Sequence, residues 1–205
     1  MGDRRFGLST HLFHDHRLTR DHLALVARHG FHAVEVFATR THFDYRDDAA
    51  VSQLADWLRE TGLGLHSVHA PIAEAVRRGE MVVPYSTASG DEARRAVAVD
   101  EARAALALAT RIPFRYLVLH LGVPTRTNPP ANDNQPAAAR RSLEEIADAV
   151  DQFKPLDITN TDEDNEQEQN VKAAGVNCLF PAGTNPPGTN PINQSEEGPP
   201  TVECW

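Results

Sequence analysis

Between Phe6 and Val150 the chain alternates short apolar runs with stretches in which apolar residues recur every three to four positions. The first period suits a strand and the second an amphipathic helix. Phe6-Gly7-Leu8 predicts a first strand, and Thr19 reads as the N-cap of a helix whose stripe is Leu23, Val26 and Ala27 and whose stop is Gly30. Ala33 to Phe37 predicts a second strand. Asp47 or Asp48 then caps a helix with Val51, Leu54, Ala55 and Leu58 on one face and Gly62 at its end. Leu65 to Val68, closed by His69-Ala70-Pro71, is the third strand. Ser89 and Glu92 have capping-box spacing ahead of an alanine-rich helix over roughly 91–111. Tyr116 to Leu119, closed by His120-Leu121-Gly122, is the fourth strand, and Leu143, Ile146, Ala147 and Val150 mark a fourth helix. Strands alternating with helices of this length predict βαβ units and a parallel α/β sheet of (β/α)₈ TIM-barrel type, represented by its first four to five units.

The pattern breaks near Lys154-Pro155. Leu156-Asp157-Ile158-Thr159 is a candidate fifth strand, but 160–170 is acid- and amide-rich without an apolar period. Val176, Cys178 and Phe180 alternate as in a strand, and from Pro181 onward proline and glycine oppose regular structure. Residues 1–150 hold 18 Arg, no Lys and 19 acids, whereas 151–205 hold 2 Lys and 10 acids. The net charge of −9 therefore resides almost entirely in the second segment. All 10 His lie at or before residue 120, while both Cys and half of the 14 Pro lie after 150. The expected organisation is a barrel-type domain over 1–155 and an atypical, loosely attached acidic tail over 156–205.

Several classes are disfavoured. No apolar run reaches 18 residues, so no membrane-spanning helix is expected. The N-terminus lacks a long apolar segment of the secretory kind, and a cytoplasmic location is the expectation. Neither segment concentrates basic charge as phosphate-backbone binding requires, so nucleic acid is not expected as a partner. No P-loop, G-x-G-x-x-G, G-x-S-x-G or H-E-x-x-H pattern occurs.

Barrel enzymes place their chemistry at the C-terminal ends of the strands. Glu35 lies inside the second strand, where a carboxylate is costly to bury unless it is paired, hydrogen-bonded or metal-bound. It is the candidate catalytic residue. His69 and His120 end the third and fourth strands and suit divalent metal or sugar hydroxyls. His66 is out of phase with His69 and is expected to face the helices. His11 leads the loop His11-Leu12-Phe13-His14-Asp15-His16 after the first strand, and His42, Asp44 and Tyr45 occupy the loop after the second. His11, His42, Tyr45 and His69 are the candidate substrate contacts.

The segments GFHAVEVF (30–37), THFDYRD (41–47), LHSVHAP (65–71) and FRYLVLHLGVP (114–124) resemble the xylose-isomerase-like superfamily of sugar phosphate isomerases and epimerases. The resemblance implies a metal-dependent sugar or sugar-phosphate isomerase or epimerase that moves a proton through an enediolate. It matches Glu35 to the family's strand-two carboxylate. It matches His69 and His120 to histidines that bind metal in the endonuclease-four branch and contact substrate near the metal in the isomerase branch. A divalent ion (Mn, Mg, Zn or Co) is implied as cofactor. The isomerase branch draws its metal ligands from strands five to eight, and this chain shows no Glu-Asn strand end after Phe153-Lys154-Pro155 and no later histidine. Glu163 is the substitute the sequence offers. The alternatives are an endonuclease-four-like metal phosphodiesterase and a non-catalytic half-barrel that pairs with a second copy through open sheet edges.

Overall fold

The computed structural model describes residues 6–78, 80–123, 132–152, 175–178 and 201–204. Four parallel strands form one sheet: β1 (Gly7–Ser9), β2 (Ala33–Phe37), β3 (Gly64–His69) and, fourth in position, β6 (Tyr116–Val118). Each is followed by a helix: α1 (Arg20–Arg28), α2 (Asp48–Thr61), α3 (Glu92–Leu106) and α4 (Pro136–Gln152). Strand neighbours in space follow the order of the βα units, as in the first half of a (β/α)₈ barrel. Val34, Val36, Leu65, Val68, Leu117 and Leu119 point from the sheet into a core closed by Leu23, Val26, Leu54, Leu58, Val99, Ala102 and Ile146 of the four helices. The opposite sheet face carries Ser9, Glu35 and Ser67.

The helix ends follow the sequence closely. Asp47 caps α2 by accepting from the Ala49 N–H, and Gly62 ends it at φ 70°, a left-handed conformation that costs glycine nothing. In α3 the capping differs from the expected box. Asp91 is the N-cap and accepts from the N–H groups of Ala93 and Arg94, while Ser89 turns its hydroxyl to Asp133. The helix ends at Leu106 and a 3₁₀ turn continues it over Ala107–Thr110, because the chain tightens before Ile112 enters the core. Asp91→Ala is expected to destabilise the protein by about 1 kcal/mol in urea denaturation, the usual value of an N-cap.

Two features were not foreseen. An antiparallel hairpin, β4 (Ala73–Arg77) and β5 (Glu80–Pro84), is inserted between β3 and α3. Its signal was the Arg-Arg-Gly-Glu turn between two short apolar stretches, with Arg78 at φ 52° in the tight connection. Further on, β7 (Gly175–Cys178), anticipated from its alternation, pairs in parallel with β8 (Thr201–Cys204), which was not. The candidate fifth strand at 156–159 lies outside the described residues.

Candidate functional site

Parallel strands bring their C-terminal ends to one rim, and the register decides which side chains meet there. Ser9, Glu35 and Ser67 are direct neighbours across β1, β2 and β3. Ser9 donates its hydroxyl to Glu35 Oε1 at 2.7 Å and Ser67 donates to Oε2 at 3.1 Å. Both carboxylate oxygens are therefore held on the inner face, which is how a strand interior tolerates the group. Two residues further along the same face, Phe37 is fully buried, with the His11 ring edge-on at 4.5 Å and the His69 ring at 5.3 Å. His69 and His120 lie with ring centroids 4.9 Å apart. Glu35, His11, His69 and His120 thus gather as one group at the rim. Phe37 was not singled out as a site residue, although its i+2 relation to Glu35 puts both on one face.

The imidazoles are held neutral. Burial pushes His120 down to about 4, helped by the neighbouring His69 and His11. Burial also lowers His69, against the opposing influence of the Ala70 carbonyl and of Glu35. His11 is lowered by burial and then by His14 and His69. His69 Nδ1–H donates to the Ala70 carbonyl at 2.8 Å, which fixes the tautomer and leaves Nε2 as an acceptor. His14 stacks on His11 at 4.8 Å and donates to the His11 carbonyl at 2.8 Å, at the exposed edge of the group.

His42 and Tyr45 do not join this group. His42 is 0% exposed, with Nδ1–H donating to the His16 carbonyl at 2.6 Å and Nε2 3.2 Å from the Thr10 hydroxyl. Both nitrogens are engaged, so it has none to offer a substrate. Tyr45 is 5% exposed and donates its hydroxyl to Glu101, which also pairs with Arg46 at 3.2 Å. Burial, followed by this bond, raises the phenol well above its ordinary value. Tyr45 joins its loop to α3 and His42 joins it to the loop after β1, and sequence position alone could not separate a rim-facing loop residue from an inward-tucked one.

His66 also departs from expectation. The β2–β3 register shifts between Val34 and Glu35, pairing Val34 with Leu65 but Glu35 with Ser67. The extra residue is His66, and the bulge removes it from the helix side. It is exposed, lies 5.0 Å from the Tyr116 ring and lines a cleft with Gly7, Ser9, Glu35 and Ser67. Glu163 lies outside the described residues.

Protonation of His42 links the site's support to pH. Burial lowers it to about 4, so between about 6.5 and 4 the unfolded chain takes up a proton that the folded chain excludes. Stability is then full above pH 6.5 and falls as pH drops toward 4, by about 3 kcal/mol at the lower end for this residue. Urea midpoints measured at pH 7, 5.5 and 4.5 should decrease in that order.

Among the described residues, no three His, Cys, Asp or Glu side chains are grouped to hold a metal ion. His69 and His120 provide two imidazoles, and the oxygens of Glu35 are occupied by serine hydroxyls. Zinc takes four donors and magnesium six, so the described residues do not fit a complete metal site.

The chain matches the sequence model of the xylose isomerase-like TIM barrel over residues 23–159. It belongs to this family. Among solved structures, a D-tagatose 3-epimerase-like protein is similar at 20% identity and a TM-score of 0.54, the match covering 78% of this chain and 55% of that one. A D-psicose 3-epimerase, crystallised in the presence of D-fructose, is similar at 16% identity and a TM-score of 0.51, covering 74% of this chain and 50% of that one. At such identities the likeness establishes the fold. The chain spans about half the length of these two structures. No curated protein matches it. The xylose isomerase-like match includes Glu35, His69 and His120 but begins after His11 and ends before Glu163. For this member of the xylose isomerase-like family, the matched residues run from within α1 through β2, α2, β3, α3 and β6 to α4. No helix among the described residues is long and apolar enough to cross a membrane.

Proposed function

We propose that this chain carries the substrate-facing half of a sugar or sugar-phosphate isomerase or epimerase site, acting by proton transfer through an enediolate. The observation that supports this most is the rim itself: neutral His11, His69 and His120 around the hydroxyl-held carboxylate of Glu35. A neutral imidazole donates at one nitrogen and accepts at the other, which matches a hydroxyl that does both. Three such groups, in the turn after β1, at the end of β3 and just after β6, suit a polyol better than an anion, which would favour fixed positive charge. Glu35 is the proposed proton carrier, since it is the carboxylate among them and general acid-base work needs one within hydrogen-bond reach of the reacting carbon's substituents. The resemblance adds a divalent ion of the Mn, Mg, Zn or Co kind. Of the described residues only His69 and His120 are offered as ligands, and other donors would have to come from elsewhere.

Isothermal titration of the full chain with D-fructose, D-psicose, D-tagatose and their phosphate esters, each with and without Mn²⁺, tests the reading. Saturable binding of at least one of them is expected. Absence of heat and of competition for every compound, under both conditions, would remove the proposal.

A further inference from the structure

The loop that carries His11 has no strand or helix to fix it beyond a short 3₁₀ turn, Thr10–Phe13, yet its first residue is among the most deeply buried in the protein. Thr10 is 0% exposed, and its hydroxyl oxygen accepts from the Phe37 N–H at 2.9 Å. The same oxygen lies 3.2 Å from His42 Nε2. His42 Nδ1 faces a carbonyl, which can only accept, so the proton of this neutral ring is on Nδ1 and Nε2 is an acceptor. The Thr10 O–H must then donate to Nε2. A single chain results: Phe37 N–H to Thr10 Oγ1, Thr10 O–H to His42 Nε2, and His42 Nδ1–H to the His16 carbonyl. The His42 backbone carbonyl closes it by accepting from the Leu18 N–H at 2.8 Å. Every donor and acceptor of the His42 ring is used, and the chain begins at the backbone of the residue on which the His11 ring rests.

We infer that Thr10 and His42 are positioning residues for the rim. Their relay clamps both ends of the His11–His16 loop to the end of β2 and so sets the His11 ring against Phe37 beside His69. The inference that this placement matters for sugar rests on the function proposed above, but the placement itself does not. Nothing in the relay touches the rim's open side, so these two act through His11. The sequence offers no sign of this, because Thr10, His16, Phe37 and His42 come together only through the parallel β1–β2 pairing.

The test uses Thr10→Val, which keeps the shape and removes the hydroxyl, and Thr10→Ser, which restores it. Nuclear Overhauser contacts between the His11 and Phe37 rings are read in the ligand-free full chain, and ketose affinity is measured separately. Thr10→Val should lose the ring contacts and Thr10→Ser should keep them, while the thermal transition of both remains cooperative. If Thr10→Val is folded and retains the His11–Phe37 contacts, the relay does not position His11 and the inference is overturned. Should Thr10→Val fail to fold, His42→Gln, which can still accept from Thr10, and His42→Asn, which can still donate to the His16 carbonyl, take its place. Unchanged ring contacts in both overturn the inference equally. Loss of contacts in a protein whose parent binds no ketose would uphold the positioning and sink the sugar reading alone.

Discussion

Replacing Asp133 with alanine is expected to cost about 3 kcal/mol of stability, near the lower end for removing one partner of a buried ion pair. The Asp133 side chain is fully buried and accepts from Arg94 at 2.9 Å and from the Ser89 hydroxyl at 3.0 Å. Its backbone carbonyl accepts from Ser86. Arg94 is 41% exposed and could turn to water, which keeps the cost from rising further. Ser89 could not: its hydroxyl would still accept from the Asp91 N–H, but its own buried proton would lose its acceptor. The consequence reaches the rim, because this network ties the segment before α4 to the segment before α3. Gln135 N–H donates to the Ala88 carbonyl, Gly90 N–H to the Asn132 carbonyl, and the Asn134 amide bonds both backbone groups of Val123. Gly122 is needed for this closure, since a Cβ there would stand 2.0 Å from Asn134 Oδ1. Leu121 to Val123, next to His120, and Asn132 to Gln135, ahead of α4, are thereby held in place. Urea denaturation measures the loss, and a value under about 1 kcal/mol would show that the anchor is not as drawn.

The second large effect concerns the rim. His69→Ala should weaken ketose binding at least about fivefold, the loss of one or more neutral hydrogen bonds to a bound hydroxyl. His29→Ala is the contrast and should bind as the parent does, because His29 is the exposed C-cap residue of α1 and takes no part in the rim or in the relay behind it. If His69→Ala binds ketose as tightly as the parent, the group around Glu35 is not the sugar site.

Much of this was legible from the chain alone. The four strands and four helices follow from apolar periods punctuated by Asp47, Gly62 and similar caps, where local chemistry and tertiary packing agree. The neighbourhood of Glu35, His69 and His120 was readable because they lie in or just after successive strands of one parallel sheet. His42, Tyr45 and His66 were misplaced for a different reason. Whether a loop residue such as His42 or Tyr45 turns to the rim or tucks beneath it depends on partners such as His16 and Glu101, which are far away in sequence. The bulge opposite Glu35 is a one-residue change of register that no apolar period reveals. The hairpin between β3 and α3 was obscured because Val82 and Val83 are both exposed in its second strand, so apolar residues there do not mark a buried face.

The central claim is that a half-barrel rim built on His11, His69, His120 and Glu35 receives a sugar. The ten histidines make it directly testable, since their ring proton and carbon signals can be followed together while the full chain is saturated with D-psicose or D-fructose. The account predicts that His11, His69 and His120 move, while His29 and His32, which lie before β2 at the far end of the sheet, stay fixed. Movement of His29 and His32 with a silent rim, or no movement at all, would contradict it.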